Sequence, residues 1–183
     1  MQRFATIVTL LLLPGLAGFS VTRAREAKPA VETVAVMATT QGEVVIRFFP
    51  DKAPEHVKNF MTLARTGEYD NTYFHRVIPD FMVQGGDFNT KDDDPSNDGQ
   101  GGWSYKGRGS SLKAEFNDTP HLRGVLSMAR SQSPDSAGSQ FFIMVKDNQG
   151  LDGQYTAFGR VIEGMDAVDR IVHQPGTSIP GAG

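Results

Sequence analysis

The sequence predicts a mostly-β domain, an antiparallel barrel or sandwich with helices at its ends. Three observations predict it. At least seven short runs are rich in β-branched and aromatic residues. Only two segments carry a helical apolar period, and they do not alternate with the strands as βαβ units would, which argues against a parallel doubly wound sheet. The 20 glycines and 10 prolines of the 183-residue chain supply many turns without approaching low complexity.

The elements follow in order. TVAVMATTQGEVVIRFF (33–49) reads as two strands around Thr40-Gln41-Gly42. APEHVKNFMTLARTG (53–67) reads as a helix: Pro54 suits the first helical position, Val57, Phe60, Met61 and Ala64 keep the period, and Gly67 supplies the stop. TYFHRVI (72–78) and FMVQGGDF (81–88) are strands around Ile78-Pro79-Asp80. Residues 89–111 form a long Gly/Asp/Ser-rich loop, a length that usually signals function. GVLSMAR, SQFFIMVK and YTAFGRVI are three further strands. EGMDAVDRIVHQ is a second helix with Met165, Val168, Ile171 and Val172 on one face, and PGTSIPGAG carries no element.

With 39% hydrophobic and 21% charged residues, the chain can bury a core of one-domain size. A net charge of −3 leaves no positive excess to bind nucleic acid. The absence of cysteine removes disulfides, thiolate metal sites and cysteine nucleophiles. At the N-terminus, Arg3 precedes an apolar run from Phe4 to Leu13 that ends at Pro14-Gly15. The run is too short for an ordinary membrane span and suits an export signal. Residues 1–24 are expected to be a signal peptide or a short uncleaved anchor, 25–32 a linker, 33–175 the folded domain and 176–183 an irregular tail.

The usual catalytic constellations are missing. No G-x-S-x-G elbow occurs. His56, His75, His121 and His173 are dispersed, and none shows metal-ligand spacing. Asp94, Ser96, Asp98 and Gly99 mimic the first half of a calcium loop, but the twelfth position is Tyr105 rather than Glu. GQGGWSYKGRG lacks the strand and helix that a phosphate cradle needs, so Trp103 is read as packing the loop down. There remain Arg76 among apolar strand residues, Met82 and Gln84 sharing one strand face, and Gln140 and Phe142 sharing another. From spacing alone, Arg76 is a surface or salt-bridged arginine, and Phe81, Met82 and Phe142 are ordinary core.

TYFHRVIPDFMVQGGDF, GVLSMAR, SAGSQFFIMV, LDGQYTAFGRVIEGMDAV and APEHVKNF together resemble, in order, the cyclophilin family of peptidyl-prolyl cis-trans isomerases. The resemblance runs from about Val34 to Ile171 and is nearest the exported bacterial forms. It implies a closed antiparallel barrel of about eight strands, a helix across each open end, and a proline groove on the outer face. It implies Arg76 as the catalytic arginine and Phe81, Met82, Phe142 and Leu151 as the proline pocket. Gln84 and Gln140 fall on the groove floor, and Ala129, Arg130 and Ser131 in the segment that contacts substrate backbone. His75 borders the site, and Gly99 and Gln100 wall a neighbouring subsite. No metal or cofactor is implied. The expected partners are proline-containing unfolded or flexible polypeptides, met by a monomer in the periplasm or outside the cell.

Three departures stand out. Gly150 replaces a common Trp, so cyclosporin binding should be weak. Tyr155 replaces a common His and should shift substrate preference. The family's closing strand has no counterpart in PGTSIPGAG, which predicts an unpaired sheet edge. Beside the isomerase, a proline-peptide-binding module with little turnover stays open. A small-ligand carrier is disfavoured because bulky inward residues should fill the barrel.

Overall fold

The computed structural model describes residues 33–174. The expected leader, linker and C-terminal tail lie outside them. Strands β1 (Val34–Thr39) and β2 (Gly42–Phe48) form the first hairpin, closed at Thr39 opposite Gly42. Alternation along β2 turns Val44, Ile46 and Phe48 inward.

Helix α1 (Pro54–Arg65) begins where proline costs no hydrogen bond, since the first helical N–H groups have no partner within the helix. Its cap comes from far along the chain: the Glu115 carboxylate accepts from the Glu55 and His56 amides at 3.2 and 3.0 Å. The buried face is His56, Val57, Asn59, Phe60 and Leu63. The apolar period placed Met61 and Ala64 there instead, yet Met61 is only half-buried and Ala64 is exposed. Two buried polar groups account for the difference. The Asn59 amide donates to the Gly138 carbonyl at 2.8 Å and accepts from the Tyr105 amide at 2.7 Å. His56 Nδ1 meets Glu115 at 2.7 Å. Polar side chains satisfied in this way can sit inside, and the stripe turns toward them.

Strands β3 (Arg76–Ile78) and β4 (Met82–Gly85) are joined by a tight turn with Pro79 at its second position. Asp80 takes the positive φ of 58° there, and the Phe81 amide donates back to the Ile78 carbonyl at 3.2 Å, as a type II turn requires. Then come β5 (Val125–Met128), β6 (Phe141–Met144), β7 (Ala157–Glu163) and helix α2 (Met165–Val172). All pairings are antiparallel, in the order β1-β2-β7-β5-β6-β4-β3. The result is a seven-stranded half-barrel with two helices. Strands β1 and β3 form its two ends and do not pair with each other among the described residues.

Both faces of the central strands are buried, so they read as unbroken apolar runs. Phe60 of α1 closes the interior, packing its ring 5.6, 5.7 and 5.2 Å from those of Phe48, Phe158 and Phe141. Val83, Leu126, Met128 and Ile143 belong to that interior. A second cluster of Met82, Val125, Phe142, Met144 and Ala157 lies apart from it, with Ile78, Phe81, Ala129, Leu151 and Tyr155 packed around it. Residues two apart share a face, so Phe141 and Ile143 go in while Phe142 and Met144 go out.

Gly164 joins β7 to α2 with φ 86°, and a Cβ on it would overlap the Glu43 carbonyl. Gly164→Ala should destabilise the fold by about 1–3 kcal/mol, combining left-handed strain with that clash. Urea unfolding of the two proteins would check it, and an unchanged midpoint would contradict the clash.

Candidate functional site

The outer cluster floors a shallow cleft of about 110 Å³, lined by Arg76, Phe81, Met82, Gln84, Ala129, Arg130, Phe142, Leu151 and Tyr155. Five separate stretches of chain converge there, and sheet register brings four residues into one row. Arg76 lies opposite Gln84, Gln84 opposite Phe142, and Phe142 opposite Ser127, across β3, β4, β6 and β5. A larger cavity of about 510 Å³ sits near the start of α1, between Glu55, Lys106, Lys113, Glu115 and Asp135. It shares no residue with the cleft, and its three carboxylates already hold protein partners.

Along one edge of the cleft runs a chain of amides. Arg76 Nη1 is 3.5 Å from Gln84 Oε1, a long contact. Gln84 Nε2 donates to Gln140 Oε1 at 2.9 Å, and Gln140 Nε2 donates to the Gly99 and Gly101 carbonyls at 3.0 and 2.8 Å. No carboxylate pairs with Arg76 among the described residues, so of the surface or salt-bridged arginine that spacing favoured, the fold builds the surface one. Its guanidinium is exposed at the pocket's rim.

The apolar floor is ordered by rings. Tyr155 meets Phe142 edge-on at 5.5 Å, and Arg130 lies over the Tyr155 ring at 4.7 Å. Leu151 sits on a short 3-10 turn (Gln149–Leu151), where Gly150 is exposed and leaves the rim low. Ser131 and Gln100 are exposed beside the cleft rather than lining it. The Gln100 side chain donates to the Ser96 carbonyl at 3.0 Å within its own loop. That loop is shaped by two short 3-10 turns, and Asp94 caps one of them through Ser96. Trp103 packs edge-on against Phe88 at 4.6 Å, pinning the loop as expected. Among the described residues no group of three His, Cys, Asp or Glu is placed to hold a metal.

His75 stands behind this wall, with its ring against Gly99. Both ring nitrogens are buried without a partner of good geometry. Burial pushes its pKa below the ordinary imidazole value, against the opposing pull of Asp87 and Asp98. Burial likewise lowers that of His56, with Glu115 opposing.

One buried constellation escaped the sequence. His121 Nδ1 lies 3.0 Å from Asp152 and its Nε2 lies 3.0 Å from Ser127 Oγ. The carboxylate orients the ring through Nδ1, and Nε2 and the serine hydroxyl satisfy each other. The arrangement copies a hydrolytic triad, but Ser127 is 0% exposed and cannot reach a substrate. It serves as a satisfied polar layer under the pocket, with the His121 ring stacked 6.2 Å from Phe142. The available signal was a serine inside the apolar run GVLSMAR; nothing in spacing pointed to His121 or Asp152.

The family model for "Cyclophilin type peptidyl-prolyl cis-trans isomerase/CLD" matches residues 34–179. A probable peptidyl-prolyl cis-trans isomerase of Brucella abortus is 46% identical over 144 residues, covering 76% of this chain and 71% of its own. Peptidyl-prolyl cis-trans isomerase B of Escherichia coli is 44% identical over 142 residues, covering 73% and 80%. Among solved structures, a cyclophilin-type isomerase of Cryptosporidium parvum, crystallised in the presence of the dipeptide Ala-Pro, superposes with a TM-score of 0.70. It is 34% identical over 79% of this chain and 87% of its own.

The buried imidazoles set an acid limit. An unfolded histidine takes its proton near pH 6.5, whereas His75 and His56 resist it in the fold. Below about pH 6.5 the unfolded chain therefore binds more protons, and stability falls as pH drops toward the folded values. His75→Gln should flatten part of that loss. Urea unfolding at neutral and mildly acid pH would show it, and an identical acid slope in the variant would rule His75 out.

Proposed function

The chain belongs to the cyclophilin-type peptidyl-prolyl cis-trans isomerases and is a peptidyl-prolyl cis-trans isomerase, and from that premise we propose that Arg76 lowers the rotation barrier of X-Pro bonds in unfolded or flexible polypeptides outside the cytoplasm. The observation that carries the residue assignment is the row Arg76–Gln84–Phe142, which sets a loosely held guanidinium beside an apolar pocket.

An X-Pro amide resists rotation by about 18–20 kcal/mol because of C–N resonance. No bond breaks during the rotation, so neither a nucleophile nor a base is called for. Twisting the amide makes the proline nitrogen pyramidal and localises its lone pair. A donor aimed at that nitrogen stabilises the twisted state and does little for the planar one, which is how binding energy lowers a barrier. Arg76 is that donor. Phe81, Met82, Phe142 and Leu151 hold the ring while the preceding carbonyl swings, and they shed water from the guanidinium's surroundings. Gln84 and Gln140 steady the arginine and bind the peptide backbone, and the His75–Gly99–Gln100 wall flanks the neighbouring residue. The Ala-Pro dipeptide present with the Cryptosporidium protein supports a proline peptide as the ligand class.

Arg3, the apolar run to Leu13 and the Pro14-Gly15 stop support export to the periplasm or beyond, by a cleaved signal or as a tether. There the slow X-Pro step limits folding, so its acceleration assists new proteins. One chain supplies both pocket and donor, so a monomer suffices as the working unit.

Arg76→Ala should still fold but lose about 100-fold or more of its turnover, the typical loss when one transition-state donor is removed. NMR exchange between cis and trans signals of an Ala-Pro peptide, at sub-stoichiometric protein, reads this directly. Exchange near the wild-type rate in the variant would sink the assignment, and no exchange with the wild type would favour a binding module.

A further inference from the structure

Arg130 lines the cleft, and its guanidinium is engaged by main-chain carbonyls. Nε and Nη2 both donate to the Gln154 carbonyl, at 3.2 and 3.1 Å. Nη1 donates to the carbonyls of Ser131 and Gln132, at 2.9 and 3.3 Å. The same planar group lies 4.7 Å from the centroid of the Tyr155 ring, and Tyr155 in turn stands edge-on to Phe142. One side chain thus ties the loop after β5 (residues 129–136) to the loop before β7 (residues 148–156). These two loops bear Ala129 on one side of the cleft and Leu151 and Tyr155 on the other.

We propose that Arg130 is a positioning residue for the proline pocket: a guanidinium latch that joins the two rim loops and fixes Tyr155 against Phe142. The proposal rests on the proline-pocket reading above. It differs from a direct substrate contact, which the segment Ala129–Ser131 suggested. All three guanidinium nitrogens already serve main-chain carbonyls, through four of the group's five N–H bonds, so its main engagement is with the rim loops. Only arginine fits the position. A lysine keeps the charge but has neither the fork that spans Gln154 and Ser131 nor a flat face to stack on a ring. The latch also holds without a carboxylate partner in any of its four bonds, so it does not depend on an acid staying ionised.

The consequence is an energetic coupling. If Arg130 acts through Tyr155, removing either should loosen the pocket in the same way, and removing both should cost little more. The test measures the dissociation constant of an Ala-Pro-containing tetrapeptide by NMR titration for the wild type, Arg130→Lys, Tyr155→Leu and the double variant. Bound-state cis–trans exchange is read in the same samples. Arg130→Lys should weaken binding about fivefold, the scale of one partly exposed cation–π contact. Its affinity should fall by a larger factor than its bound-state exchange rate, because Arg76 is untouched.

The double variant should bind no worse than the weaker single variant, within about twofold. Multiplying losses, or an Arg130→Lys affinity equal to the wild type, would overturn the latch and leave the isomerase intact. Wild-type protein that binds the peptide without exchanging its isomers would overturn the isomerase assignment, while the binding cycle still judges the latch. Wild-type protein that does not bind the peptide would overturn both.

Discussion

The site depends on strand register. Arg76, Gln84, Phe142 and Ser127 come from four strands and over fifty residues of sequence, yet cross-strand pairing aligns them in one row. A one-residue slip of β4 would send Gln84 and Met82 inward and Val83 outward. The pocket would lose its floor and the interior would gain an amide. Several devices hold the register. Pro79 and Asp80 fix the β3–β4 turn, and the Asp80 carboxylate meets Lys146 at 3.3 Å beyond the end of β6. Inside, Val83, Phe141 and Ile143 lock the opposite face into the aromatic cluster around Phe60. The row is placed by the packing on the other side of the same strands.

This two-faced use of a sheet explains why the sequence was half legible. The seven strand segments and both helices fall where periodicity and turn residues placed them, because those signals are local. What periodicity could not do was divide Phe141, Phe142, Ile143 and Met144, four apolar residues in a row, between core and pocket. All four are buried, so hydropathy carries no face signal. The resemblance made the division, and the two separate clusters agree with it for Met82 and Phe142. Polar residues were the other blind spot. His56, Asn59, His121 and Ser127 are 1% exposed or less. Each is tolerable inside only through a partner distant in sequence, such as Glu115 for His56 or Asp152 for His121, and single-sequence patterns do not reveal such partners.

Arg76 is held loosely, by one contact at 3.5 Å, while its neighbours form a taut chain through Gln84 and Gln140 to the loop at Gly99 and Gly101. That contrast suits the chemistry. A donor locked onto a protein acceptor would have to surrender that bond to reach the twisted nitrogen, and the loss would subtract from barrier lowering. A weakly engaged guanidinium on an ordered amide bed gives up little. The bed also explains why an arginine is tolerated in an apolar strand: β3 is an end strand of the half-barrel, and Arg76 is exposed there.

The two sides of the groove are ordered by different physics. One rim rests on Arg130, whose partners are main-chain carbonyls and an aromatic ring. The opposite wall rests on His75, whose unpartnered ring nitrogens lie near Asp98, itself raised above the usual carboxylate range chiefly by burial. Acid acts on that wall through the buried imidazole. As pH falls, protonating His75 puts a charge into a site that burial disfavours, and Gly99 leans directly on that ring. The Gly99 carbonyl anchors Gln140, and Gln140 anchors Gln84, so the disturbance has a continuous path toward Arg76. The amide chain thus links the His75 wall to the cleft edge at Arg76, while Asp152 and His121 support the floor at Phe142 from below.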